Sequence, residues 1–419
     1  MGWHGRGTCQ PTNGDVCHLP IAENFIPFTG TCLREEERVI NPIGKHELTY
    51  LDSRKWYPMK AARWYEAGDI RVDDVPEPQI DDDYDVKIKL HWCGICGSDL
   101  HEYLAGPIFI PVGTPHPVTH EVAPVILGHE FSGEVVEVGP NVTNVKPGDR
   151  VVVEPLDVDD TCPACKMGRD NLCVNLGFHG LAGKGGGFAE YTTFRHKYVH
   201  KIPENLTYER AALVEPIAVG YHSLEAGSFE KGMTAVVAGA GTIGLATIEC
   251  LKALGAAKVI VVQRKSVRQE YAKRSGADVV LDPNECDVVE EIKKLTDGFG
   301  ADIAFECTGA QPCFDALLHA IHVGGTLVVT SIWEKPATVN LNDICIPEKK
   351  VVGSIAYCGD DFDNVIDLVA SEKVSADALI TKKIALDDIV EEGFKTLTGP
   401  EKKQQVKILV SGNPDELNK

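Results

Sequence analysis

Ala235-Val-Val-Ala238-Gly239-Ala-Gly241-Thr242-Ile243-Gly244 is the stretch whose reading decides the fold. Four apolar residues read as a buried strand. The glycines that follow have Gly-x-Gly-x-x-Gly spacing, and a helix to Leu254 and a second strand, Lys258 to Val262, come next. In that context the motif binds a dinucleotide. Gly239 permits the tight turn, Gly241 lets the backbone approach a pyrophosphate, and Gly244 lets the helix pack closely. Thr242 and Ile243 open the helix, whose free N–H groups face the phosphates. The competing reading is a glycine turn that only packs; the strand–loop–helix context favours the cofactor.

The end of the second strand selects the dinucleotide. An NAD site places Asp or Glu there for the ribose hydroxyls. This chain has Gln263, followed by Arg264 and Lys265, with Arg268 on the next helix. No carboxylate repels a 2′-phosphate, and cations stand ready to pair with one. The expectation leans to NADP over NAD. The alternative is that Gln263 serves NAD and both cations are solvated turn residues.

Strand–helix alternation continues through Val279–Leu281, Val288–Thr296, Ile303–Glu306, Cys313–Ile321 and Thr326–Thr330. This is a doubly wound parallel sheet of the Rossmann kind. Upstream, Lys60–Tyr65, Ile70–Val75, Tyr84–Leu90, Val122–Val138 and Asp149–Glu154 read as short strands with glycine punctuation, hence a barrel-like β domain. Gln405–Val410 reads as a closing strand. The first 58 residues show no periodicity, and Cys9, Cys17 and Cys32 lack metal-ligand spacing. They are expected to be a poorly ordered extension.

A length of 419 residues accommodates two or three domains. The net charge of −21 argues against nucleic acid or an anionic membrane as partner. No apolar run is long enough to span a bilayer. The fourteen cysteines are not framework-spaced, and without a secretion signal they read as cytoplasmic thiols and metal ligands.

Chemistry concentrates in His91-Trp-Cys93-Gly-Ile-Cys96-Gly-Ser98-Asp99-Leu-His101. Cys-x-x-Cys alone is a zinc half-site, a redox pair or chance. Gly128-His129-Glu130 enters a strand, and Glu215 opens a helix. Cys96, His129 and one or both of Glu130 and Glu215 make a mixed S/N/O set that zinc accepts, and a catalytic zinc keeps one position open.

These motifs resemble the zinc-dependent medium-chain alcohol and polyol dehydrogenases over about Met59 to Val410. The likeness rests on Gly94-Ile-Cys96-Gly-Ser98-Asp99-x-His101, Gly128-His129-Glu130, Gly148-Asp-Arg150, Glu215-Pro216 and Gly239 to Gly244. Asp99 to Pro111 and Leu127 to Gly133 look most like the 2,3-butanediol dehydrogenases. The resemblance implies a GroES-like catalytic domain over 59–220, completed by 354–419, around a Rossmann domain over 221–353. It implies Cys96, His129, Glu130 and Glu215 as catalytic zinc ligands, with Glu130 ligating or exchanging with water and Cys93 a bystander. Ser98 and His101 would carry the substrate proton, and Asp99 would hold the geometry around the ligands. The partner is a small alcohol or ketone, and the assembly a homo-dimer or homo-tetramer.

The family's structural zinc uses four cysteines in one loop. Here Cys162, Cys165 and Cys173 match, and the first position falls on Asp159, with Asp157 and Asp160 beside it. The expectation is a Cys3Asp zinc site; the alternative is a degenerate loop without metal. For the whole chain the alternatives are a sorbitol-type or threonine-type dehydrogenase, or a non-catalytic dinucleotide-binding redox sensor.

Overall fold

Six strands form an all-parallel sheet in the order Val279–Leu281, Lys258–Val262, Thr234–Ala238, Ala301–Glu306, Ile321–Val329, Lys350–Gly353. The computed structural model to which they belong describes residues 57–418. The readings of residues 1–56, with their three cysteines, lie outside the described residues.

The chain enters this sheet at its centre and winds outward in both directions. Ala235 to Ala238 are fully buried, as expected where helices cover both faces. The crevice beyond the carboxyl ends, where strand order reverses beside Thr234–Ala238, is where such sheets bind ligands. The sixth strand, Lys350–Gly353, carried no sequence signal. It is a short edge strand and largely exposed, so its apolar pattern is only two residues long.

The rest of the described chain is β-rich. The main sheet runs Val199–Lys201, Arg150–Val153, Glu130–Val138, Asp85–Gly94, Lys407–Ser411, Ile380–Ala385, with Tyr191–Arg195 also paired to Asp85–Gly94. A three-stranded sheet of Asp69–Pro76, Pro58–Glu66 and Val125–Ile126 lies beside it in sequence. Lys407–Ser411 pairs antiparallel with Asp85–Gly94, Leu409 opposite Gly94 and Val410 opposite Cys93. The end of the chain is thus built into the sheet that carries the Cys-x-x-Cys.

Strand Asp85–Gly94 runs past the expected end at Leu90. It takes Cys93 into the core, where burial pushes the thiol pKa well above its usual value. Helix Gly97–Ala105 then starts, although Gly97 and Ser98 are weak helix formers. The Asp99 carboxylate accepts the Cys96 N–H at 2.9 Å and satisfies one of the orphan donors of the first turn. Among the described residues no helix is long and apolar enough to cross a membrane.

Candidate active site

The strand-to-helix turn at Cys96 and the turn at His129 place their side chains together. Ligand atoms of Cys96, His129 and Glu130 all lie within 4.8 Å of one another. Glu215, in the first turn of helix Val214–Ala226, lines the same cavity but stands outside that tight group. The Tyr357 hydroxyl donates to Glu215 Oε1 at 2.9 Å. Both Glu130 oxygens accept from Lys407 Nζ at 2.6 Å.

His129 is oriented from both sides. Nε2 is 3.1 Å from Ser98 Oγ. Nδ1 faces Asp99 Oδ1 at 3.7 Å, and neither of those buried atoms has a hydrogen-bond partner. Burial alone lowers the His129 pKa, but Asp99 and Cys96 together raise it to about 10. Burial raises Asp99 to about 6 and Glu215 to about 7. Such a site holds positive charge strongly. A thiol, an imidazole and carboxylates are zinc's donor types, and a histidine backed by a carboxylate through its other nitrogen is how metal-binding histidines are set. The residues present therefore fit a zinc ion.

These groups open onto a cavity of about 860 Å³. Cys96, Ser98, His101, His129 and Glu215 line it from the β-rich part, with Phe109, Phe178 and Leu181. Ile243, Thr308, Ile332 and Trp333 line it from the Rossmann sheet.

The cofactor end is equally defined. Gly239 has φ +93°, and a Cβ at Gly244 would lie 1.9 Å from the Gly239 carbonyl oxygen, so both positions need glycine. Gln263 Oε1 accepts the Ala240 N–H at 2.8 Å, tying the second strand to the loop. Thr242 Oγ1 donates to the Val406 carbonyl. Arg268 donates to the carbonyls of Lys402 and Gln405 while its Nε has no partner, and it passes close to Gly241. Arg264 and Lys265 are exposed at the end of the strand.

The family identity rests on sequence profiles that match both parts. The alcohol dehydrogenase GroES-like domain matches residues 82–204, and the zinc-binding dehydrogenase profile matches residues 242–371. The chain belongs to the zinc-binding medium-chain dehydrogenases. These oxidoreductases act on CH–OH groups with a nicotinamide dinucleotide. The (R,R)-butanediol dehydrogenase of Bacillus subtilis is 49% identical over 356 residues, 85% of this chain and all of that protein. The crystal structure of Bacillus subtilis 2R,3R-butanediol dehydrogenase covers 85% of this chain and 100% of its own, with a TM-score of 0.80 at 49% identity. A Sinorhizobium meliloti structure bound to NADP is 32% identical with a TM-score of 0.76, over 85% of this chain and 99% of its own.

This dehydrogenase carries a cysteine-rich loop within the part matched by the GroES-like profile. Asp159, Cys162, Cys165 and Cys173 offer ligand atoms within 4.8 Å of one another. Asp159 Oδ1 accepts the N–H groups of Thr161 and Cys162, and these hold its carboxyl well below the usual range. Asp160 turns instead to Arg195 and Lys197, and Asp157 is buried outside the group.

Sequence reasoning missed Lys407 and Tyr357. A signal existed for Lys407: a lysine inside the apolar closing strand implies a buried partner. Tyr357 lies in a connection whose contact with Glu215 no local pattern announces.

Proposed function

We propose that this dehydrogenase interconverts 2,3-butanediol and acetoin, with NADP preferred over NAD. The observation that carries this is the shared cavity. One wall bears Cys96, Ser98, His129 and Glu215, and the other belongs to the sheet that holds the glycine loop. The names of the similar proteins point to a vicinal diol, and the Sinorhizobium meliloti structure, with exposed Arg264 and Lys265, supports NADP.

Cys96, His129, Glu215 and Glu130 would hold the catalytic zinc. When bound, the metal supplies Lewis acidity toward the alcohol or ketone oxygen. Ser98 relays the hydroxyl proton of the alcohol, accepting it at Oγ as its own hydroxyl proton moves on toward His101. His101, one turn along the same helix, passes it toward solvent. Asp99 holds Cys96 N–H and backs His129. The apolar side chains around the cavity exclude water from the hydride's path. Asp159, Cys162, Cys165 and Cys173 would hold a second, structural zinc.

The same reading assigns 59–220 and 354–419 to the catalytic domain and 221–353 to the Rossmann domain. It makes the protein a cytoplasmic homo-dimer or homo-tetramer. Unpaired edge strand Lys350–Gly353, with exposed Val351, Leu341 and Ile346 nearby in sequence, supports the oligomer.

A panel of diols and polyols assayed with NADP and NAD separately tests this. The highest kcat/KM is expected for 2,3-butanediol with NADP. Preference for sorbitol, or for NAD, contradicts the corresponding part.

A further inference from the structure

Glu102 follows His101 on helix Gly97–Ala105 and is fully buried. Its carboxylate is held by backbone. Ile108 N–H is shared between Oε2 at 3.0 Å and Oε1 at 3.2 Å, Phe109 N–H donates to Oε1, and Ile110 N–H donates to Oε1 at 3.2 Å. Three consecutive amides converge on one anion, which offsets the cost of burying it. The Glu102 carbonyl accepts from Trp64 Nε1 at 2.9 Å and from Gly106 N–H at 3.1 Å. A Cβ at Gly106 would lie 2.4 Å from Glu102 Oε2, so the loop closes around the carboxylate only with glycine there. Ile110 then packs inward, 4% exposed, while Phe109 is 39% exposed and lines the active-site cavity with Cys96 and Ser98.

A phenyl ring this exposed is not fixed by its own burial. Its backbone is fixed instead, by the buried carboxylate next to His101 and one helical turn past Ser98. We propose that Glu102 is a positioning residue: it holds the 107–111 loop so that Phe109 forms the apolar wall that receives the alkyl end of the substrate. This rests on the diol reading for the identity of that alkyl group, not for the loop itself. Glutamine at 102 keeps the shape but removes the charge that strengthens all three bonds, and it sets an NH2 donor where Oε2 accepts the Ile108 N–H.

The test uses Glu102→Gln and Phe109→Ala in the full chain. Substrates are 2,3-butanediol and ethylene glycol, which is the same diol without methyls. A methyl group in an apolar pocket is worth roughly 10–200-fold in kcat/KM. Wild type is expected to favour 2,3-butanediol, and both variants to lose at least about tenfold of that preference, mainly in KM. Zinc content and cofactor KM should stay unchanged. Hydrogen exchange gives a readout free of substrate: the amides of residues 108–110 should exchange at least about tenfold faster in Glu102→Gln, with helix Gly97–Ala105 unaffected. Wild type inert toward 2,3-butanediol contradicts the diol reading alone, because the exchange result still decides the loop. Unchanged exchange at 108–110, or an unchanged preference in Phe109→Ala, overturns the proposal. If Glu102→Gln does not fold, Glu102→Asp, which withdraws the carboxylate by one methylene, takes its place in both measurements.

Discussion

Lys407 Nζ lies 2.6 Å from both oxygens of Glu130, with the two side chains 1% and 0% exposed. Burial alone lowers the Lys407 pKa, but the Glu130 carboxylate outweighs it and holds the ammonium above its usual value. Lys407 also donates to the Ile95 carbonyl at 2.9 Å, next to Cys96. One buried cation thus ties the closing strand to both halves of the Cys96–His129–Glu130 group.

Removing one partner of a buried pair leaves an uncompensated charge, which costs about 3–5 kcal/mol, whereas replacing both with apolar groups is often near neutral. Lys407→Met should destabilise by about that much in urea unfolding. Compared in the zinc-free protein, where Glu130 has no ion to hold, the double variant Lys407→Met/Glu130→Met should recover most of the loss. Lys407→Met with wild-type stability contradicts the role given to the pair.

His179 provides a pH signature. It is fully buried, with Nε2 2.6 Å from Thr192 Oγ1, and burial lowers its pKa from 6.5 to about 3. Between those values the unfolded chain binds a proton that the folded chain refuses. This residue's contribution is therefore complete above pH 6.5 and is lost as pH falls toward 3, by up to about 1.4 kcal/mol per pH unit. Urea unfolding of wild type and His179→Asn at about pH 7 and pH 5 isolates it. Wild type should lose about 2 kcal/mol more than the variant over that interval. Equal losses contradict a neutral buried imidazole.

The cysteine loop separates structure from chemistry. Cys162→Ser should lower zinc, measured by elemental analysis, from two ions per chain to one. Melting temperature should fall while the KM for the diol stays the same. One zinc per wild-type chain contradicts the second site.

Cofactor choice is read from the Arg264→Ala/Lys265→Ala variant. Loss of charge-assisted contacts to a 2′-phosphate should raise the KM for NADP at least about tenfold and leave that for NAD unchanged. An equal effect on both cofactors contradicts the assignment.

Most of the Rossmann sheet was legible because its inner strands are rich in apolar residues and its glycine loop has a fixed spacing. Lys350–Gly353 was not, since an exposed edge strand has little pattern to show. The motifs around Cys96 and His129 were legible as short stretches, and the fold brings Cys96, His129 and Glu130 together while leaving Glu215 outside that tight group. What surrounds them was hidden. Lys407 lies 277 positions from Glu130, and Tyr357 lies 142 from Glu215. Such contacts are products of tertiary packing, so local sequence records only that a lysine sits in an apolar strand. Phe109 was within the quoted motif, but its exposure follows from Glu102, whose burial no periodicity marks.

The metal proposed at Cys96 and its neighbours is one that this chain's chemistry would require. Zinc content and acetoin reduction should be measured together on wild type and Cys96→Ser. One zinc fewer per chain and acetoin reduction at background are expected, with nicotinamide cofactor still bound. A Cys96→Ser protein that reduces acetoin at the wild-type rate contradicts that requirement.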